Sequence, residues 1–402
     1  MKHILQAGLL IVCLLAAAIC LQRRFASPAV PAADEPLLPA QEEPVGPAPE
    51  AAAPGTPAPT PDPTPAPPDA ADLRLAQMSR EEKALQMIML CSSSRAEVQL
   101  AANAGVGGIC LYAGAFTGMN SYNVRTLTDG LQDSSPIPLL LAVDEEGGTV
   151  CRVSLNPLLR STPFLDPQTL YETGGWTLIE SDAEEKSYLL LSLGLNVNLA
   201  PVADVPLERG NYIYERCFGT DPAETAEYVR RVVTVMDRCG VGSTLKHFPG
   251  YGGSADTHVG MGYDERPLTA FTEGDFLPFI AGIEAGADAV LVSHNIVACM
   301  DADRPASLSP EVHRILREDL GFTGVVLCDD LEMSAIGQFT GWQNAAAEAA
   351  IAGNDLICCG DYEAAARAIL AAMEDGSLPE EQADASVLRI LRWKQGLGLD
   401  LG

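Results

Sequence analysis

From Gln86 onward the chain alternates two patterns. Short runs rich in Val, Ile, Leu, Ala and Cys give way to longer stretches in which apolar residues recur every three or four positions. The short runs are Gln86–Leu90, Gly108–Leu111, Pro138–Val143, Asn196–Ala200, Gly242–Lys246, Ala289–Val292, Gly324–Cys328 and Asp355–Cys358. Helical periodicity marks Asp182–Leu193, Pro222–Cys239, Asp275–Ala285, Ser309–Leu320, Tyr362–Glu374 and Glu380–Trp393. Ser79-Arg80-Glu81-Glu82 is a capping box that opens a short helix. Strand candidates separated by helices predict an α/β fold with a parallel sheet. Their number favours closure into a single (β/α)8 TIM-type barrel over an open sheet.

The pattern does not extend to the N-terminus. Residues 1–24 hold an apolar run, Ile4–Leu21, behind Lys2 and His3 and ahead of Arg23 and Arg24, as expected of an export signal or a membrane anchor. Cys20 suggests lipid attachment, but Ile19 stands where such sites usually carry a small residue. Residues 25–71 hold fifteen of the 29 prolines among Ala, Thr and acidic residues, the composition of a disordered spacer. That leaves residues 72–402, about 330 residues, for one large barrel. The expectation is an exported protein, secreted or tethered at the cell surface, with membrane association through residues 4–21, and monomeric.

A net charge of −29 argues against nucleic acid or anionic lipid as a partner, because nothing would neutralise their phosphates. Two of the eleven cysteines fall in the apolar segment, leaving an odd number. Cys91, Cys110, Cys328, Cys358 and Cys359 lie in or beside strand-like runs, where they read as buried free thiols. No Cys/His spacing suggests zinc, so neither a metal nor a cofactor is expected.

Polar residues collect at the ends of the runs. Asp144, Asp204, Lys246-His247, Ser293-His294-Asn295 and Asp329-Asp330 each follow or end a strand candidate. Parallel barrels keep their active sites at the carboxyl ends of their strands. A single such residue reads more readily as a solvated loop charge, but together they favour a site. The richest stretch is Lys246-His247-Phe248-Pro249-Gly250, continuing through Gly252-Gly253 to Asp256-Thr257-His258. Here a strand empties into a glycine-rich loop that carries a second histidine.

Five blocks occur in an order that resembles glycoside hydrolase family 3, in its β-N-acetylhexosaminidase branch. They are Asp144-Glu145-Glu146-Gly147-Gly148, Tyr214-Glu215-Arg216-Cys217-Phe218-Gly219, Lys246–Gly250, Asp256-Thr257-His258 and Cys328-Asp329-Asp330-Leu331-Glu332-Met333. The resemblance covers about Leu75 to Trp393. It implies that Asp329 is the nucleophile and that His258, partnered by Asp256, is the general acid/base. A carboxylate forms and then releases a glycosyl ester, and an imidazole fixed by an aspartate titrates near neutral pH. The resemblance further implies that Asp144, Arg152, Arg216, Lys246 and His247 bind the sugar. Asp204 and His294 read as structural, Asp330 as a capping acid, and Tyr112 and Tyr263 as residues able to stack on a sugar ring. Four departures from the family's usual pattern stand out. Tyr251 replaces a His, Glu145 a Gln and Thr149 an Arg, and the loop before Asp256 is one residue shorter.

The expected activity is that of a retaining exo-β-N-acetylglucosaminidase acting on terminal β-linked GlcNAc of cell-wall fragments, through a covalent glycosyl-enzyme. A β-glucosidase-type member is the first alternative. Such members usually take their acid/base from a second domain that is not part of this sequence, and lack the Asp-X-His loop. A tethered glycan-binding barrel without activity is the second.

Overall fold

The computed structural model describes residues 69–402 apart from 255, 342 and 343. The predicted apolar segment, and all of the predicted linker but its last residues, lie outside that range. Among the described residues no helix is long and apolar enough to cross a membrane. The folded part starts slightly earlier than residue 72. Asp69 caps the helix Ala70–Leu75 by exchanging hydrogen bonds with Asp72, and Arg392 reaches Asp69 and Asp72 at 3.4 and 3.3 Å.

Eight parallel strands close into a barrel. They are β1 (Ile88–Ser92), β2 (Gly108–Leu111), β3 (Leu140–Val143), β4 (Val197–Asn198), β5 (Gly242–Phe248), β6 (Ala289–Val292), β7 (Val325–Cys328) and β8 (Leu356–Cys359). Each pairs with its neighbour in chain order, and β8 returns to β1 through Ile88–Ile357. The first predicted strand is displaced. Gln86 closes the helix Arg80–Gln86, and its buried amide serves the carbonyls of Gly105 and Val106.

Side chains alternate across the strand wall. Met89, Cys91, Cys110, Leu140, Leu291, Leu327, Leu356 and Cys358 fill the barrel interior. Ile88, Leu90, Ile109, Leu141 and Ile357 face outward to helices on one side, and Leu245, Val290, Val292 and Val326 to helices on the other. Each such aliphatic side chain contributes about 1.5–3 kcal/mol by leaving water, so the strand wall is the main source of stability. Ile390 and Trp393 of the last helix, Glu380–Gly396, join the interior layer and stopper its amino-terminal end. A Cβ on Gly242, where β5 begins, would stand 2.9 Å from the Trp393 indole nitrogen.

Close approach also fixes Gly107 ahead of β2. A Cβ there would lie 2.0 Å from the Gln86 carbonyl oxygen, a contact between two backbones that no rotamer relieves. Gly107→Ala is therefore expected to lose about 3 kcal/mol or more. Gly130, inside the helix Ser121–Ser134, has nothing within 4 Å of its Cβ position, so Gly130→Ala should gain about 0.5–1 kcal/mol. Urea midpoints compare the two, and equal shifts would contradict the backbone approach.

Candidate active site

The carboxyl ends of the strands open into a cavity of about 670 Å³. Asp144, Arg152, Arg216, Lys246, His247, His258 and Asp329 all line it, along with Tyr112 and Asp330. Asp256 does not line it but holds His258. Tyr263, the other candidate for sugar stacking, does not line it either. It sits well exposed in a separate two-stranded ribbon, Tyr263–Asp264 with Ile296–Val297.

Lys246 and His247 are consecutive, yet both reach the cavity. The register between β5 and β6 slips between Lys246 and Phe248, and the Lys246–His247 peptide is cis. β4 is short, but the chain beyond it continues along β5. The Thr244 amide donates to the Ala200 carbonyl, and the Ala203 amide to the Lys246 carbonyl. This carries Asp204 alongside His247.

Lys246 Nζ lies 2.7 Å from Asp144 Oδ1 and 2.6 Å from Glu146 Oε1, with all three side chains largely buried. Glu146 also takes two bonds from Arg216, at 3.0 Å from Nε and 2.8 Å from Nη2. Arg152 approaches the far oxygen of Asp144 at 3.6 Å. Burial alone would raise the carboxyl pKa values. The charges of Lys246 with Arg152, and of Arg216 with Lys246, outweigh it and hold Asp144 and Glu146 below the ordinary carboxylate range. Burial pulls the Lys246 ammonium down, and the two carboxylates more than reverse it. The result is a fixed cluster of three cations and two anions on one wall.

Asp204 is fully buried. Its Oδ2 accepts from the His247 amide at 3.0 Å and faces His247 Nδ1 at 2.6 Å, and its Oδ1 accepts from the Tyr251 amide at 2.8 Å. Arg216 Nη2 stands 3.1 Å from His247 Nε2. A guanidinium can only donate, so Nε2 presents its lone pair and Nδ1 carries the hydrogen. Both ring nitrogens of His247 are thus engaged, and its visible work is to aim Arg216.

Asp329 follows β7, its amide bonded to the Val292 carbonyl of β6. Asp330, which lines the same cavity, is held by partners of its own. It accepts from the Tyr112 hydroxyl at 2.6 Å and from the Glu332 amide, while its carbonyl accepts from His294 Nε2 at 3.0 Å. His294 is buried, which lowers its pKa against the pull of Asp329, and its Nδ1 meets the Ser307 hydroxyl. The turn that presents Asp329 is therefore held from both sides.

The remaining part is the loop after β5. Asp256 Oδ1 accepts from the His258 amide at 3.0 Å and lies 2.7 Å from His258 Nδ1. The His258 side chain is 61% exposed. Between them Thr257 is buried, its hydroxyl against that of Tyr251. Glu145, the other departure inside a motif, accepts from the amides of Arg152, Val153 and Ser154 and so pins the loop that carries Arg152.

Sequence reasoning missed Glu146 as the centre of the cation cluster. Its one signal was adjacency to Asp144, and an acidic triplet element does not reveal which carboxyl turns inward. Asp204 read as structural, and it is the partner that orients His247.

Polyhydroxylated ligands are held by charged, directional groups converging from several strand ends, and bond cleavage at an acetal needs an acid and a nucleophile within one pocket. A barrel whose strand ends bring such groups together in one pocket meets these requirements of a glycoside hydrolase. Comparison with known proteins narrows this: residues 79–393 match the model of the glycosyl hydrolase family 3 N terminal domain, and the chain belongs to that family. A relative named beta-hexosaminidase from Xanthomonas campestris pv. campestris (strain B100) is 37% identical over 236 residues, 57% of this chain and 70% of its own. A glycoside hydrolase family 3 beta-N-acetylglucosaminidase structure from Paenibacillus sp. str. FPU-7 superposes with TM-score 0.75 at 32% identity, covering 81% of this chain but only 64% of that one. A beta-N-acetylhexosaminidase structure from Beutenbergia cavernae DSM 12333 has TM-score 0.67 and 26% identity, covering 80% and 99%.

The cation cluster predicts a pH signature. Because the Asp144 and Glu146 pKa values are lowered in the folded state, their stabilisation is present above the unfolded carboxyl values near 4 and is lost as pH falls below them. Lys246→Met takes one buried cation from two carboxylates, leaving Glu146 to Arg216 and Asp144 to the more distant Arg152, and should cost about 3 kcal/mol at pH 7. The deficit relative to the parent chain should shrink on acidification towards pH 3, as measured by urea midpoints. A deficit independent of pH would contradict the electrostatic account.

Proposed function

We propose that the protein is a retaining, exo-acting β-N-acetylhexosaminidase that removes terminal β-linked GlcNAc. The observation that carries this is that Asp329 and the Asp256-held His258 face one cavity, whose wall is the Lys246–Glu146–Arg216 cluster. The names of the family relatives support the sugar. In the first step an Asp329 oxygen bonds to the anomeric carbon as the bond to the leaving oxygen breaks, and His258 Nε2 gives that oxygen its proton. In the second, His258 takes a proton from water, whose oxygen displaces Asp329. Asp256 keeps the hydrogen on Nδ1 and stabilises the charged ring. Asp144, Arg152, Lys246 and Arg216 bind hydroxyls and the acetamido group, with His247 orienting Arg216.

The substrates we infer are GlcNAc-terminated cell-wall fragments, reached outside the membrane. The supports are the apolar segment at residues 4–21, the Pro-rich stretch behind it and the net charge of −29.

Asp329→Ala should lower kcat/KM on 4-nitrophenyl N-acetyl-β-glucosaminide by about 10³-fold or more. The parent enzyme should release the β-anomer first, seen by proton NMR, and should prefer the N-acetylglucosaminide to the glucoside by at least about 10²-fold. Full activity of Asp329→Ala removes it as nucleophile, an α-anomeric first product removes the double displacement, and preference for the glucoside removes the sugar assignment.

A further inference from the structure

Among the described residues, the loop that carries Asp256 and His258 is tied to the rigid strand end by a side-chain hydrogen bond of Thr257. Thr257 alone of the three residues is fully buried, while the Asp256 and His258 side chains are 32% and 61% exposed. In this stretch Asp256 and His258 share one side and Thr257 points the other way, down to Tyr251. The two hydroxyl oxygens are 2.5 Å apart. Among the described residues this is the one side-chain hydrogen bond of Thr257. Its backbone adds a single contact, from the Ala335 amide at 3.3 Å.

Tyr251 is well placed to hold something still. It is 1% exposed, and its amide donates to Asp204 Oδ1 at 2.8 Å. Its ring meets His247 and Tyr212 edge-on, at centroid distances of 5.1 and 5.2 Å. Asp204 is the carboxylate that also fixes His247, so the ring stands on the same support as the sugar-facing wall. Between Tyr251 and Thr257 the chain runs through Gly252 and Gly253. At Gly252 φ is +50°, and a Cβ would stand 2.1 Å from the Arg266 guanidinium, which Asp264 and Asp275 hold, so this position requires glycine. Burial, with the charge of Asp329 adding to it, keeps the phenol protonated and able to donate.

We propose that Tyr251 is a positioning residue for proton transfer, its hydroxyl tying Thr257 so that His258 stands at the depth the leaving oxygen requires. The idea rests on the reading of His258 as the acid. It gives the Tyr251 side chain a task in a loop shortened by one residue, where slack in the chain no longer sets the reach of the histidine. A tie of this kind matters where a proton must be delivered, and little where the leaving group departs unaided.

The test compares kcat/KM, which reports the glycosylation step, on N,N′-diacetylchitobiose and on 4-nitrophenyl N-acetyl-β-glucosaminide. Tyr251→Phe keeps the ring packing, and Thr257→Val keeps the shape. Each should lose about tenfold or more on the disaccharide and less than about threefold on the nitrophenyl glycoside. The double variant should be no worse than either single one, because both remove the same bond. Thr257→Ser restores the hydroxyl and should recover the disaccharide activity. Equal losses on both substrates, additive losses, or parent-like disaccharide hydrolysis by Tyr251→Phe would overturn the proposal. His258→Ala serves as reference. If it shows no dependence on the leaving group, the acid assignment fails and the proposal with it. If it shows that dependence and Tyr251→Phe does not, the proposal alone fails.

Discussion

The mouth of the barrel is organised around one ammonium group kept out of water. At 2.6–2.7 Å from two carboxylates, Lys246 gains roughly 6 kcal/mol of attraction to each at an effective dielectric constant of 20. Desolvating three charged groups costs several kcal/mol apiece, so the cluster comes near to cancelling as a source of stability. What remains is geometry. Glu146 can satisfy Lys246 and Arg216 together only if β3, β5 and the loop after β4 meet at one place, and that requirement fixes the cationic wall. Asp204 repeats the device one layer away, serving His247 and Tyr251 from a single fully buried carboxylate. The rigid half of the pocket is thus built from anions that each answer to two partners.

Much of this was legible in the chain. Strands buried on both faces announce themselves as short apolar runs, and all eight were found, with the first displaced by two residues because Gln86 is spent on carbonyls outside the sheet. Among the helices that escaped notice, Ala345–Ala352 is apolar nearly all round and shows no face. Ser121–Ser134, which buries Val124, Thr128 and Leu131, and Arg95–Ala104, which buries Val98 and two alanines, do carry one-sided stripes, but of small or partly polar residues.

The site divides the same way. Residues that stand at strand ends could be placed from sequence, because a barrel brings its strand ends together whatever else it does. Glu146, the Tyr112–Asp330 bond and the Tyr251–Thr257 contact depend on where loops of different length turn their side chains, and no periodicity encodes that. Tyr251 is instructive in this respect. In the sequence it stood out only as a departure from a family pattern, and in the folded molecule it is a buried ring with a partner at every polar atom.

The stopper formed by Ile390 and Trp393 has a consequence for the order of assembly. The inner layer of the barrel is completed by a helix near the end of the chain, and the same region supplies β8, which must find β1 to close the sheet. A growing chain therefore holds its apolar inner residues without a lid until almost all of it has been made. Closure of the sheet and of its floor rests on contacts between residues far apart in sequence, whose loop-closure entropy makes them slow to form.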